Sequence, residues 1–302
     1  MAAIQQRRHR FFVCFNPGAG RSHRTFLEQV LSALHQAGAH VDMARAVTAE
    51  AARAEIAIAA KSNAYDAIVA AGGDGTIRQA AAAVAETGTP LGIIPIGTGN
   101  VLAHEIALKR DSATIVRTLL TGPMITVECG LANNEPFLLM AGAGFDARIV
   151  NALDHQTKQW IGKAAYLPPG MKALTAPLDR IDVVVDGSKH RATWAIVANA
   201  RHFGGKFILA PRTHIRDPGF QAILFAATTR TTLIRQVLAL GLGHLERLAN
   251  QPASGVQMLA CSEVSIVSNH PVPVQIDGDS FKTTPLTVRR GGGRVALIVP
   301  GA

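Results

Sequence analysis

From Arg10 to about Gly122, short apolar runs alternate with segments of helical period, the pattern produced by successive βαβ units. Phe11–Phe15 reads as a first strand. Phe26, Leu27, Val30, Leu31 and Leu34 then share one face of a helix that Gly38 ends. The pattern predicts a second strand near His40–Ala46, a helix over 49–61, a buried strand over Asp66–Ala71, a helix over Ile77–Glu86 and a strand over Leu91–Ile94. Beyond Pro123 the texture changes to runs rich in Val, Ile and Thr, clearest at Ile181–Val185, Thr193–Ala198, Ala222–Phe225 and Val264–Val267. Asp186-Gly187, Asp217-Pro218-Gly219 and Asp277-Gly278 punctuate these runs as turns, which predicts hairpins or a sandwich. The expected fold class is therefore α/β with two domains. A doubly wound, Rossmann-like α/β domain covers 1–123 and a mostly β sandwich domain covers 124–290.

Composition narrows the classes. With 48% hydrophobic and 17% charged residues, the 302-residue chain is too apolar to be disordered. Lys and Arg outnumber Asp and Glu by 30 to 21, a formal charge of +9 that favours phosphates or anionic lipid surfaces. Aromatics make up 5%, and no basic run is interleaved with them, so nucleic acid is not an expected partner. Cys14, Cys129 and Cys261 lie far apart without metal or redox spacing, which fits a reducing cytoplasm. The basic start MAAIQQRRHR leads into an apolar run of strand length that breaks at Asn16-Pro17, against a signal peptide. No run reaches the ~20 apolar residues of a membrane helix. Any membrane association is expected to be peripheral.

Three glycine-rich segments follow predicted strands: Asn16-Pro17-Gly18-Ala19-Gly20-Arg21-Ser22, Gly72-Gly73-Asp74-Gly75-Thr76, and Pro95-Ile96-Gly97-Thr98-Gly99-Asn100. In an open parallel sheet, loops at the carboxyl ends of strands line one crevice. Glycines admit close approach of an anion, and Thr76 can cap the following helix or bond a phosphate oxygen. Asp74 can orient a ribose, a water or a metal ion. Alone, the central segment is equally a capped tight turn. No Gly-x-x-x-x-Gly-Lys-Ser/Thr is present, and Gly142-Ala143-Gly144-Phe145-Asp146-Ala147 matches the dinucleotide fingerprint without a convincing βαβ unit around it.

Taken in order, Asn16-Pro17…Gly20, Gly72–Thr76, Pro95…Gly97-Thr98…Asn100, Ala141–Ala147 and Asp277-Gly278-Asp279 resemble the catalytic domain of the diacylglycerol kinase family. That family includes soluble bacterial lipid kinases and sphingosine kinases, with NAD kinases as more distant relatives. The resemblance implies an amino-terminal ATP-binding domain, a carboxy-terminal β-sandwich, an active site between them, and a final strand, Val295–Val299 within the tail 291–302, that returns to the first domain. It implies ATP contacts from Asn16, Pro17, Gly18 and Gly20, from Thr48, from Gly72, Gly73, Asp74, Gly75 and Thr76, and from Thr98 and Asn100. Asp279 stands where the family places a glutamate base, one methylene shorter. Asp277, Asp146 and Asp74 are implied in a Mg²⁺–water network, and His214, Asp217 and Gly219 in a second Mg²⁺ site.

Other readings stay open on the residues alone. Asp277-Gly278-Asp279 is also a hairpin turn, and Asp217-Pro218-Gly219 a proline turn. Arg78 and Val101 replace the family's common Asn and Asp. Thr231–Leu248 forms a basic amphipathic stretch that either touches lipid or packs on its own sheet, with Gly241 and Gly243 interrupting it. The expected activity is ATP-dependent phosphorylation of a lipid hydroxyl at a membrane surface, with ATP and Mg²⁺ as cofactors and a homodimer left open. A nucleotide kinase resembling NAD kinase and a non-catalytic nucleotide-binding or membrane-surface module are the alternatives.

Overall fold

The computed structural model describes residues 7–15, 21–46, 48–152 and 167–301. The chain divides into two compact units, Met1–Glu128 with Gly293–Ala302, and Cys129–Gly292. The long last strand contributes to both, as residues 286–292 in one and 293–298 in the other.

The first unit runs β1 (Arg10–Phe15), α1 (Arg21–Gln36), β2 (His40–Met43), α2 (Ala49–Lys61), β3 (Ala67–Gly72), α3 (Asp74–Val84), β4 (Leu91–Pro95), α4 (Val101–Glu105) and α5 (Ser112–Thr121). Its strands are parallel in the order β2-β1-β3-β4. All six residues of β3 and all five of β4 are buried, as expected for strands covered by helices on both faces. Helix α1 packs with α5 and α2 with α3, one pair for each face. Leu27, Val30 and Leu34 of α1 are buried as their spacing predicts. Gly92 lets α5 close on the sheet, since a Cβ there would lie 2.3 Å from Leu119 Cδ2. Strand β1 pairs with β2 on one side and β3 on the other, so the connection reverses between β1 and β3. Their carboxyl ends flank the switch point where open α/β sheets bind ligands.

Buried Arg8 finishes the far end of α5. Its guanidinium donates to Leu119 O at 3.2 Å and twice to Gly122 O at 3.1 Å, satisfying carbonyls that a helix end leaves without partners.

The second unit takes in the end of β5 (Met124–Ala132), from Cys129 onward, and continues through β6 (Glu135–Phe137), β7 (Met140–Ala143), α6 (Phe145–Asn151), α7 (Leu167–Thr175), β8 (Ile181–Val185), β9 (Ser188–Ala192), β10 (Trp194–Ala198), β11 (His202–Phe203), β12 (Phe207–Ile208) and β13 (Phe220–Phe225). It ends with α8 (Arg230–Gly241), α9 (Leu245–Ala249), β14 (Val256–Cys261), β15 (Glu263–Val267), β16 (Pro273–Ile276), β17 (Asp279–Thr283) and the start of β18 (Leu286–Ile298). One antiparallel sheet is ordered β14-β13-β10-β7-β16-β17, and β15 links β18 to β8 and β9 in another. Alternate residues from both layers build one core, with Ala195, Val197, Ala222, Leu224, Val274 and Ile276 on one side and Val183, Val185, Val264, Ile266 and Val288 on the other. This is a sandwich-like packing, with period-2 side chains meeting across two sheets.

Three two-residue hairpins have positive φ at both central positions, the type I′ geometry that follows strand twist. They are Asn133-Asn134 (47° and 71°), Asp186-Gly187 (44° and 85°) and Asp277-Gly278 (50° and 80°). Asp217-Pro218-Gly219, by contrast, leads into β13 without closing a hairpin. Helix α3 starts at Asp74, three residues before its predicted start, so the last three residues of the Gly-Gly-Asp-Gly-Thr segment are helical. Replacing Arg8 with Met keeps the apolar stem but strands the α5 carbonyls. The expected loss is about 2 kcal/mol in urea denaturation.

Candidate functional site

In the first unit the glycine loops at the carboxyl ends of β3 and β4 pack on each other. Gly73 is the N-cap of α3 and no side chain caps it, so Thr76 is not the cap its position suggested. The first intrahelical bond runs from Ile77 N–H to Gly73 O at 3.0 Å, so the first turn of the helix precedes its own hydrogen-bond ladder. Such an end favours an anion through its N–H groups and helix dipole. Thr76 instead lies over Gly72, where a Cβ would come within 2.4 Å of its own Cβ.

The loop after β4 packs directly on this segment. A Cβ on Gly97 would lie 2.4 Å from Gly73 Cα, and one on Gly99 would lie 3.2 Å from Asp74 Oδ2. Asn100, at φ +47°, closes its own loop: Oδ1 accepts from Gly97 N–H and Nδ2 donates to Gly97 O, both at 2.8 Å. Asp74 reaches across and accepts from Val101 N–H at 3.0 Å and Leu102 N–H at 3.1 Å, so its charge sits on the amino end of α4. The glycines therefore serve loop-to-loop contact, and Asp74 and Asn100 brace it. Thr98 is half-buried within this loop. Exposed Thr48 caps α2, accepting from Ala51 N–H at 3.3 Å. Asn16, Pro17, Gly18 and Gly20 lie outside the described residues.

In the second unit the chemistry gathers around the β16–β17 hairpin. Asp277 is buried, and its carboxylate accepts from three successive amides: Leu138 at 2.9 Å, Leu139 at 2.8 Å and Met140 at 2.9 Å. Asn199 holds the same segment from the other side, donating from Nδ2 to Leu138 O and from its backbone to Leu139 O, both at 2.8 Å. Gly278 N–H donates to Gln275 Oε1 at 2.8 Å, and Gln275 Nε2 donates to Asp146 Oδ2 at 3.0 Å. Trp194 Nε1 donates to the other Asp146 oxygen at 2.8 Å. Asp279 follows the braced turn as the first residue of β17, paired across the hairpin with Ile276 and half-buried.

The Gly-x-Gly-x-x-Ala match resolves into the same network. A Cβ on Gly142 would lie 2.6 Å from Asp146 Oδ2, so Gly142 makes room for that carboxylate, and Gly144 turns the chain into α6 at φ +108°. Burial pushes the Asp146 carboxyl up to about 6, against the lowering pull of its hydrogen bonds from Ala147, Gln275 and Trp194. Neither Gln275 nor Trp194 was singled out from the sequence. The available signal was a glutamine between two core residues of a buried strand, Val274 and Ile276.

Asp217 folds back on its own turn, its Oδ2 accepting from His214 N–H at 2.9 Å while its N–H donates to His214 O at 2.8 Å. Gly219 follows at φ +95°. These bonds clasp the turn. Among the described residues, no group of three or more His, Cys, Asp or Glu side chains could hold a metal. The thiols of Cys14 and Cys261 are pushed up to about 12 by burial, which makes them poor nucleophiles.

Residues 10–132 match the diacylglycerol kinase catalytic domain, and residues 140–302 match the YegS C-terminal NAD kinase beta sandwich-like domain. An uncharacterized protein of Synechocystis is 28% identical over 235 residues, which are 74% of this chain and 52% of the relative, so the match spans about half of that protein. The diacylglycerol kinase of Bacillus subtilis is 28% identical over 231 residues, 74% of this chain and 76% of the relative. A crystal structure of a diacylglycerol kinase from Bacillus anthracis superposes with a TM-score of 0.70 over 97% of each chain at 17% identity, which shows a shared fold.

Asp277→Asn turns an amide donor towards backbone N–H groups and is expected to destabilise the fold by about 3 kcal/mol in denaturant titrations. Asp146 carries a pH signature. Its folded-state value of about 6 exceeds the ordinary 3.8, so between those values the folded protein holds a proton that the unfolded chain has lost. Stability from this group therefore falls as pH rises through that window, by about 3 kcal/mol, and is flat above it. Asp146→Asn removes that slope. Denaturation midpoints at pH 4.5 and 7.5 are expected to show the variant faring better, relative to the parent, at the higher pH.

Proposed function

Because the chain belongs to the diacylglycerol kinase family, we propose that it transfers the γ-phosphate of ATP, taken as its magnesium complex, to the hydroxyl of a lipid alcohol such as diacylglycerol. The observation that carries the reading is the braced hairpin: buried Asp277 and Gln275 fix the turn from which half-buried Asp279 projects. Phosphoryl transfer asks little covalent chemistry of a protein and much positioning, and a carboxylate set at a locked turn meets that demand.

In this mechanism the uncapped amino end of α3 and the glycine loops receive the phosphates. Their backbone amides match anionic oxygens in chemistry, and glycine keeps side chains out of the way. The described carboxylates do not make a magnesium cage of their own, since those of Asp74 and Asp277 are engaged by backbone amides. A bound magnesium ion would travel with the nucleotide phosphates and offset their charge. Asp279 accepts the proton of the acceptor hydroxyl as that oxygen bonds to the γ-phosphorus. The bond from phosphorus to the bridging oxygen breaks in line, and ADP leaves with the electron pair. Asp74, Asp146, Asp277 and Gln275 act as positioning residues. Contact with the lipid surface is peripheral in this proposal; no helix among the described residues is long and apolar enough to cross a membrane.

Incubation with labelled ATP, Mg²⁺ and a total lipid extract is expected to give a labelled phospholipid. A labelled nicotinamide nucleotide would move the acceptor class to that of NAD kinases, and absence of any product would leave a nucleotide-binding module. Asp279→Asn is expected to lower turnover by at least ~10³-fold. Its nucleotide affinity, read by calorimetry, stays unchanged. Turnover that survives this substitution rejects Asp279 as the base.

A further inference from the structure

Helix α8 carries apolar residues on both faces. Leu233, Gln236 and Leu240 point inward, and fully buried Gln236 donates from Nε2 to Ser254 O at 3.0 Å and to Gly255 O at 3.3 Å. Ile234, Leu238 and Leu242 form the outward line and are 41%, 57% and 68% exposed. Single exposed aliphatics are ordinary, but a glutamine in the buried line and three aliphatics in the exposed one invert the usual distribution. The end of the helix is closed by backbone hydrogen bonds. Gly243 N–H donates to Leu240 O at 3.1 Å and His244 N–H to Ala239 O at 2.7 Å, with Gly243 at φ +72°, a Schellman closure that holds Leu242 outward.

The outward line borders a groove of about 420 Å³ whose lining also includes Arg235, His244 and Arg247, and no acid. Within 230–251 the sole acid is Glu246, which pairs with Arg212 at 2.6 Å. We infer that this ridge docks the second unit on an anionic phospholipid surface. Ile234, Leu238 and Leu242 enter the acyl boundary, and Arg235 and Arg247 meet the phosphate layer. The uniform positive rim selects this occupant, because two copies of the chain meeting here would bring like charges together.

The inference does not depend on phosphoryl transfer, since binding to vesicles is read without ATP. The full chain is expected to float with phosphatidylglycerol–phosphatidylcholine vesicles and not with phosphatidylcholine alone. Leu238→Ser with Leu242→Ser should lower the bound fraction about tenfold. Arg235→Gln with Arg247→Gln should abolish the preference for anionic vesicles and its salt sensitivity. Unchanged melting temperatures in both variants separate lost docking from lost folding. Undiminished binding by both variants, or failure of the parent to bind anionic vesicles, overturns the inference. A dimer in sedimentation that the leucine variant converts to monomer also overturns it, assigning the ridge to a second copy.

Discussion

The second unit is organised around one carboxylate placed where three backbone amides converge. Asp277 satisfies the N–H groups of Leu138, Leu139 and Met140 at the entry to β7, and its own N–H returns to Met140 O. A buried charge is tolerable only when its hydrogen-bonding capacity is met. The hairpin and the start of β7 consequently hold each other in one register. Asp279 takes its position from that register, two residues along from the clasp.

The same use of carboxylates recurs in both units. Asp66 accepts from the amides of His9 at 2.6 Å and Arg10 at 2.9 Å, and Glu55 closes the β2–α2 loop on Arg45 and Ala46. Asp74 braces α4, Asp111 caps α5, and Asp186 holds Ser262 and Glu263. Acids are in the minority in a chain of charge +9, and many of them secure backbone at strand ends and turns. The basic residues are correspondingly left to give the surface its sign, which suits phosphate-bearing partners.

The glycine loops show how one residue type serves two ends. Gly97 and Gly99 let the β4–α4 loop lie against Gly73 and Asp74, and that contact in turn fixes the uncapped start of α3. A side chain at Gly97 would separate the loops before any ligand was involved. Backbone amides held in this way need little reorganisation to receive an anion, the condition that makes electrostatic stabilisation effective.

What the sequence determined by itself was local. The period of Leu27, Val30 and Leu34 and the continuous apolar runs of β3 and β4 mark buried faces without tertiary information, and Asp-Gly pairs demand turns with positive φ. These were enough for an α/β half and a β-rich half, and for the resemblance that the two domain matches bear out. Tertiary structure decided whatever depends on partners distant in the chain. Asp277 finds its amides 137 to 139 residues away, α3 begins inside the glycine segment because Gly97 and Asp74 shape its entrance, and Gln236 is buried while Leu238 is exposed. No periodicity encodes these outcomes. Hydrogen-bond satisfaction is settled only when the sheets have assembled, and a polar residue in an apolar run acquires its meaning from the group it then meets.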